Sequence, residues 1–244
     1  MKVTAAALSQ RDYSSRGAAG VSSSYLRNSA IPDMHFQVQY GNSLGESGTA
    51  LVAGGGIAYK TIVPRLESVF GAPLNTNYMV DESVSGLTAI GFAKITTSPV
   101  TVKFEARYGE NIADVLAISG FAMKSITNPT SGEADYTPLT STTFWGEIHT
   151  NGTFQVGLFG GYFKNMGTKE AVDPGLPVYG LGTSISSLYR ISPRIVYNAG
   201  KTRIGLEMEY TSASYGSGFD ENYLPSSTTT VSNLRALLAV YYFF

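Results

Sequence analysis

The sequence has no cysteine among its 244 residues and only two histidines. The lack of cysteine excludes a disulfide framework, thiol catalysis and thiolate metal sites. Charged residues make up 14% of the chain and the formal net charge is −1, so no basic field attracts nucleic acid. No stretch approaches the ~18 to 20 apolar residues of a membrane-spanning helix, so a membrane protein with this sequence would have to be a closed β-barrel.

The last eleven residues, LRALLAVYYFF, alternate in the pattern of a β-strand that faces lipid. One face carries Leu234, Ala236, Leu238, Val240, Tyr242 and Phe244. Aromatic residues at its end suit the interfacial girdle of an outer-membrane barrel. We therefore expect Val240, Tyr242 and Phe244 to belong to a closing strand that the outer-membrane assembly machinery reads. The alternative is a buried final strand of a soluble β-sandwich.

The same period of two recurs along the chain. Segments that alternate apolar and polar residues lie at 34–40, 100–108, 144–149, 189–197 and 203–210. Together with weaker segments they predict about ten antiparallel strands. An even count is typical of bacterial single-chain barrels. The sequence therefore predicts an all-β fold, an antiparallel transmembrane β-barrel.

Turn chemistry predicts the direction of the strands. Outer-membrane barrels keep short turns on the periplasmic side and long loops outside. Short periplasmic turns are expected at Ser98-Pro99, Asn151-Gly152 and residues 198–201. External segments are expected at residues 110–125, 165–182 and 212–233. Residues 110–125 are interpreted as part of a loop, although their apolar spacing also fits a further strand.

Several segments resemble the C-terminal part of DcaP-like porins, especially those of Bacteroidota outer membranes. The resemblance covers most of the chain and rests on residues 3–15, 30–40, 86–115, 186–203 and 234–244. These are framework segments, and none is a catalytic signature. The resemblance implies sixteen-stranded trimeric barrels with an N-terminal periplasmic coiled coil. It also implies passage of small anionic solutes such as dicarboxylates and a place in the Gram-negative outer membrane, in contact with its lipid bilayer.

The chain departs from that family in having about ten strands, no heptad-like N-terminal region and no convincing export signal. We therefore expect residues 1–244 to form a single outer-membrane β-barrel domain that lacks N-terminal strands. In this interpretation the chain is the C-terminal part of a sixteen-stranded barrel. The alternative is a small barrel that closes by itself.

Alternation also predicts which charged residues face inward. The expected pore-lining residues are Lys103, Arg107, Glu147, Arg190, Arg194, Arg203 and Arg235, with Glu105, Glu207 and Glu209 as further inward acids. Arginines on one wall would favour carboxylates or phosphates, because the planar guanidinium binds oxyanions bidentately. The alternative is that each arginine pairs with a glutamate and only fixes the wall. Arg203 shares its strand face with two glutamates and is expected to be structural.

Catalysis is not expected. His35 and His149 are far apart in sequence, and no Ser/His/Asp spacing stands out. Ten-stranded outer-membrane proteases place histidine at the external rim, whereas His149 precedes a periplasmic turn. No metal or cofactor motif is present. Besides a porin, the sequence leaves open a barrel with a plugged lumen whose external loops bind a surface partner.

Overall fold

The computed structural model describes residues 1–9, 15–44, 48–71 and 75–244, with residues 43 and 44 described by their backbone alone. Strands dominate the fold. They are β1 (Lys2–Leu8), β2 (Ser15–Gly17), β3 (Gly20–Ser22), β4 (Asp33–Leu44), β5 (Thr49–Ile62), β6 (Glu67–Phe70), β7 (Thr76–Met79), β8 (Val84–Thr96), β9 (Val100–Glu110), β10 (Ser119–Asn128), β11 (Glu133–Thr150), β12 (Phe154–Thr168), β13 (Val178–Leu181), β14 (Ile185–Ala199), β15 (Thr202–Phe219) and β16 (Pro225–Tyr242). Helix α1 spans Ser24–Asn28, and a 3₁₀ helix spans Ala113–Val115. No helix in the described ranges is long and apolar enough to cross a membrane.

The main sheet has twelve strands, and ten of them follow one another in the order β1-β4-β5-β8-β9-β11-β12-β14-β15-β16, with β10 and β13 paired beside this path. Every neighbouring pair on this path is antiparallel. The all-β antiparallel class and the strand number predicted from the sequence are confirmed. Within the described residues β1 pairs only with β4 and β16 only with β15, so the sheet is open at these two edges.

Short connections gather at one end of the sheet, which we call the turn end. The turns after β8, β11 and β14 lie there, as does the β4–β5 connection, part of which falls outside the described residues. Gly152 and Gly200 adopt φ values of +104° and +59°, which favour glycine over other residues. Thr97 N donates to Val100 O at 2.8 Å and closes the Ser98-Pro99 turn. All three predicted turns are therefore confirmed as turns at one end.

The opposite end, which we call the loop end, carries the long connections. Two of the sequence predictions about this end need correction. Residues 212–233 were expected to form a loop, but β15 and β16 run through them and leave a short turn between. The expectation failed because Ser and Thr occupy both faces here, so the amphipathic alternation is lost while the pairing continues. Hydroxyl pairs such as Ser214–Thr230 at 3.0 Å bridge the two strands.

Residues 110–125 are only partly a loop, because β10 begins at Ser119. β10 pairs with the outer part of β11 and with β13, so it adds no further crossing to the ten-stranded path. The predicted strand direction is thus right, although the strand itself was missed. Residues 165–182 lie at the loop end as expected, yet β12 extends to Thr168 and β13 lies within them.

The buried core sits at the loop end. Its main cluster consists of Tyr25, Leu26, Ile62, Val84 and Phe121, with Tyr136 and Tyr179 packed against it. These residues come from α1, the ends of β5 and β8, and the β10, β11 and β13 strands. Loop-end segments that are distant in sequence therefore form one packed unit.

An ion pair with a fully buried carboxylate ties this unit together. Arg65 donates from Nε and Nη2 to the two carboxylate oxygens of Glu82, both at 2.8 Å, and from Nη2 to Gly132 O at 2.5 Å. Glu82 Oε1 also accepts from Ala134 N at 2.9 Å. The hydrogen bonds to Glu82 raise the pKa of Arg65. Burial next to this pair strongly raises the pKa of Tyr136.

Candidate functional site

The pairing register divides the side chains of the sheet between two faces. Lys103 lies opposite Glu147 and Arg194 opposite Glu207, so charged residues of β9, β11, β14 and β15 share one face. We call it the polar face. It carries the seven residues predicted to line a pore, Lys103, Arg107, Glu147, Arg190, Arg194, Arg203 and Arg235. Whether these residues line a pore remains a prediction.

The other face, which we call the apolar face, is exposed although it is hydrophobic. Its exposed side chains include Phe36, Ile57, Phe104, Ile148, Leu158, Ile191, Leu206 and Leu238. Aromatic rows border it, with Tyr40, Phe154, Tyr197 and Tyr242 toward the turn end and Tyr59, Tyr108, Tyr189 and Tyr210 toward the loop end. In the described strands no charged side chain lies on this face between the rows. Water would not stabilise such a surface, whereas a lipid environment would.

The closing strand belongs to this arrangement. Val240 and Tyr242 lie on the apolar face of β16, opposite Ile204 and Thr202 of β15. Phe244 lies two residues beyond the end of β16, and Phe243 N donates to Lys201 O at 2.8 Å. The predicted lipid-type alternation of this strand is present up to Tyr242. Recognition of this strand by the outer-membrane assembly machinery stays a prediction.

On the polar face, Glu147 is held by two cations. Arg194 donates from Nη1 to Oε2 at 3.2 Å and from Nη2 to Oε1 at 2.7 Å, and Lys103 Nζ donates to Oε1 at 3.0 Å. Arg194 reaches across β12, where Gly157 leaves room: a Cβ at Gly157 would lie 3.1 Å from Arg194 Nε. One carboxylate thus bridges three strands, and the group keeps a net charge of about +1.

A second carboxylate repeats the arrangement toward the loop end. Glu209 Oε2 lies 2.6 Å from Arg235 Nε, and its Oε1 accepts from Arg190 Nη1 at 3.3 Å. Arg190 Nε also donates to Thr211 Oγ1 at 2.9 Å. Each of these groups contains two cations and one anion, so ion pairing reduces the positive charge of the wall without cancelling it.

Four of the predicted pore-lining arginines lie on β14, β15 and β16, and three of them, Arg190, Arg194 and Arg235, are paired with carboxylates. The exception, Arg203, is the one expected to be structural. Arg203 Nε donates to Asn198 Oδ1 at 2.8 Å, and its guanidinium carbon lies 5.8 Å from the centre of the Phe243 ring. Arg203 shares its strand face with Glu207 and Glu209, as the sequence predicts, and Glu209 pairs with Arg190 and Arg235.

The loop end adds charged residues that the sequence did not single out. Lys60 on β5 pairs with Asp114 of the 3₁₀ helix and donates to Asn111 O at 2.6 Å. Asp33 Oδ1 lies 3.0 Å from His35 Nε2. Lys60 and Asp114 are 54 residues apart in sequence, and no local pattern connects them. The segment with the 3₁₀ helix lies over the polar face and encloses a recess of about 290 Å³ with β4, β5, β8 and β9.

The two histidines do not meet. His35 is on β4 and His149 on β11, with β5, β8 and β9 between them in the sheet. His149 Nε2 lies 3.6 Å from Glu147 Oε1, within the ion-pair group. Among the described residues no three His, Asp or Glu side chains are placed to hold a metal ion.

No protein-family model and no curated protein sequence matches the chain. Among solved structures, the chain is similar to the outer membrane channel DcaP of Acinetobacter baumannii, with a TM-score of 0.58 and 10% identity over 99% of this chain. It is also similar to the outer-membrane expressed OmpT of Vibrio cholerae, with a TM-score of 0.45, 11% identity, and coverage of 90% of this chain and 59% of that one.

The similarity to DcaP shows the fold of the chain. The chain covers 58% of the DcaP channel chain. The predicted resemblance to DcaP-like outer-membrane barrels is therefore confirmed at the level of the fold.

Proposed function

We propose that the chain is an outer-membrane porin, or part of one, through which small hydrophilic anions diffuse passively. The observation that carries this proposal is the division of the sheet into an exposed apolar face and a polar face whose two main carboxylates are each bridged by two cations. Lipid would contact the first face and water-borne solutes the second. The similarity to an outer membrane channel supports the same function.

Small carboxylates such as dicarboxylates are the proposed solutes. The surplus positive charge of the Glu147 and Glu209 groups would raise the concentration of anions along the wall. Passive diffusion requires no catalytic group, and we propose no enzymatic activity. Assembly by the outer-membrane machinery and association into a homotrimer complete the proposal.

Planar-bilayer recordings of the full chain test the proposal. We expect discrete conductance steps and a zero-current potential of anion-selective sign in a KCl gradient. Replacing Arg190 and Arg194 together by Gln should reduce the anion preference. The matched control replaces exposed Arg27 and Lys201 by Gln, which removes the same charge away from the wall. Unchanged selectivity in the Arg190/Arg194 variant would refute the proposal.

The packed core of the loop end favours one alternative, a barrel whose lumen is filled and whose loops bind a partner. That function predicts no conductance in the same recordings. It also predicts that exchanging the β15–β16 turn, residues 220–224, abolishes partner binding without affecting the assembly of the sheet.

A further inference from the structure

The recess at the loop end has the size and lining of a small-molecule site. Its floor is made of small residues on the polar face, among them Gly56, Ala58 and Gly86. Ile112 and Val115 from the 3₁₀-helix segment form part of its other side. A volume of about 290 Å³ lies at the lower end of the range for ligand pockets. The recess therefore suits a solute of few heavy atoms.

Two of the three acidic residues of the recess already have partners. Asp114 pairs with Lys60. Glu110 lies 3.2 Å from Lys169 Nζ through Oε1, and its Oε2 accepts from Leu87 N at 3.0 Å. The third, Asp33, lies 3.0 Å from His35 Nε2, which is buried without a hydrogen bond. The negative charges of Asp114 and Glu110 are thus engaged by groups of the protein.

Arg107 is the cation of the recess that lacks such a partner. Within the described part of the chain its guanidinium makes no ion pair or hydrogen bond, and its Nε is buried without a hydrogen bond. Its cross-strand neighbours are Ile90 and Thr143, neither of which is charged. The Arg107 side chain as a whole is only partly buried and lines the recess, so a carboxylate of a solute could bind its guanidinium from the recess.

The rest of the lining is mostly hydrophobic. Ile90, Ile112 and Val115 would contact the part of a solute that lies away from Arg107. A second carboxylate on the solute would lose its hydration against these side chains and would approach Asp114 and Glu110. The lining thus favours one anionic group and an apolar remainder.

We propose that this recess binds a small monocarboxylate with an apolar body, whose carboxylate pairs with Arg107 and whose hydrocarbon part packs against Ile90, Ile112 and Val115. The inference rests on the proposed function, because the solute reaches the recess through the lumen. It deepens that function by giving the polar face a selective subsite beside a wall that attracts anions in general.

Calorimetric titration of the full chain in detergent micelles tests the subsite without requiring conductance. The probe is 3-methylbutanoate, with succinate as the dicarboxylate comparison. We expect 3-methylbutanoate to bind at least about tenfold more tightly than succinate. Arg107→Gln should weaken its binding by at least about tenfold. The control Lys201→Gln removes one positive charge at the turn end and should leave the affinity unchanged.

Ala58→Leu provides a second test that keeps Arg107 in place. The added side chain should fill the recess and weaken the binding of 3-methylbutanoate by at least about tenfold. The heat-modifiable migration of the folded chain should persist. If Arg107→Gln does not fold, the affinity of Ala58→Leu for 3-methylbutanoate tests the inference by itself. Equal affinity in the folded variants and the unmodified chain, or tighter binding of succinate, would overturn the inference. If the chain showed no conductance but still bound 3-methylbutanoate in a manner that requires Arg107, only the proposed porin function would be contradicted.

Discussion

Replacing Glu147 by Gln tests the claim that paired carboxylates limit the positive charge of the polar face. Glu147 accepts hydrogen bonds from both Lys103 and Arg194. The amide keeps the shape of the side chain and removes one negative charge. A unit charge about 7 Å from an ion in water contributes about 0.6 kcal/mol. The anion gains this energy and the cation loses it, so we expect the ratio of anion to cation permeability to rise about sevenfold, measured as the zero-current potential in a KCl gradient.

The same variant should be less stable, because two cations lose their shared partner. Lys103 and Arg194 keep 32% and 27% of their side-chain surface exposed, so solvent screens part of the loss. We expect a cost of about 1–2 kcal/mol, below the ~3–5 kcal/mol of fully buried pairs. Denaturant titration of the folded chain in micelles, followed by heat-modifiable migration, measures this cost.

Glu105→Gln is the matched control. Glu105 also lies on the polar face, and within the described residues it makes no ion pair. It should shift the permeability ratio in the same direction and leave the stability within about 0.5 kcal/mol. An unchanged zero-current potential in Glu147→Gln, or equal destabilisation by both variants, would refute the reasoning.

Two further predictions concern the loop end and the apolar face. Glu82→Gln should destabilise the loop end by about 2 kcal/mol, because partly buried Arg65 loses its anion while solvent screens part of the loss. Amide hydrogen exchange of β10 measures this cost, with exposed Glu67→Gln as the control. Phe104→Lys should destabilise the sheet by about 2–4 kcal/mol by placing a charge on the apolar face, whereas Glu105→Lys on the adjacent polar position should not. Equal unfolding midpoints for the two lysine variants would contradict the assignment of the faces.

Much of the sheet could be predicted because alternation is a local property. The alternation shows which residues share a face in the segments Met34 to Tyr40 and Val100 to Tyr108. The strand pairing in the structure agrees with these assignments. Turn residues with left-handed glycine, such as Gly152, are equally local. The number and direction of the strands follow from these signals together.

The strands and ion pairs that the sequence did not predict depend on long-range packing or on surroundings that a local sequence pattern does not encode. The halves of β15 and β16 nearer the loop end extend beyond the apolar face, so no alternation of hydrophobic residues marks them as strands. The strand β10 is stabilised by its partners β11 and β13, which follow it in the chain. Ion pairs such as Lys60 with Asp114 require a fold that brings distant segments together.

Cysteine accessibility along β9 tests the two-faced sheet most directly. The natural chain has no cysteine, so single cysteines at positions 102 to 107 can be labelled without background after reconstitution into lipid vesicles. A water-soluble, membrane-impermeant thiol reagent should modify positions 103, 105 and 107 and spare 102, 104 and 106. Uniform labelling, or labelling with the opposite alternation, would contradict an apolar face in lipid and a polar face in water.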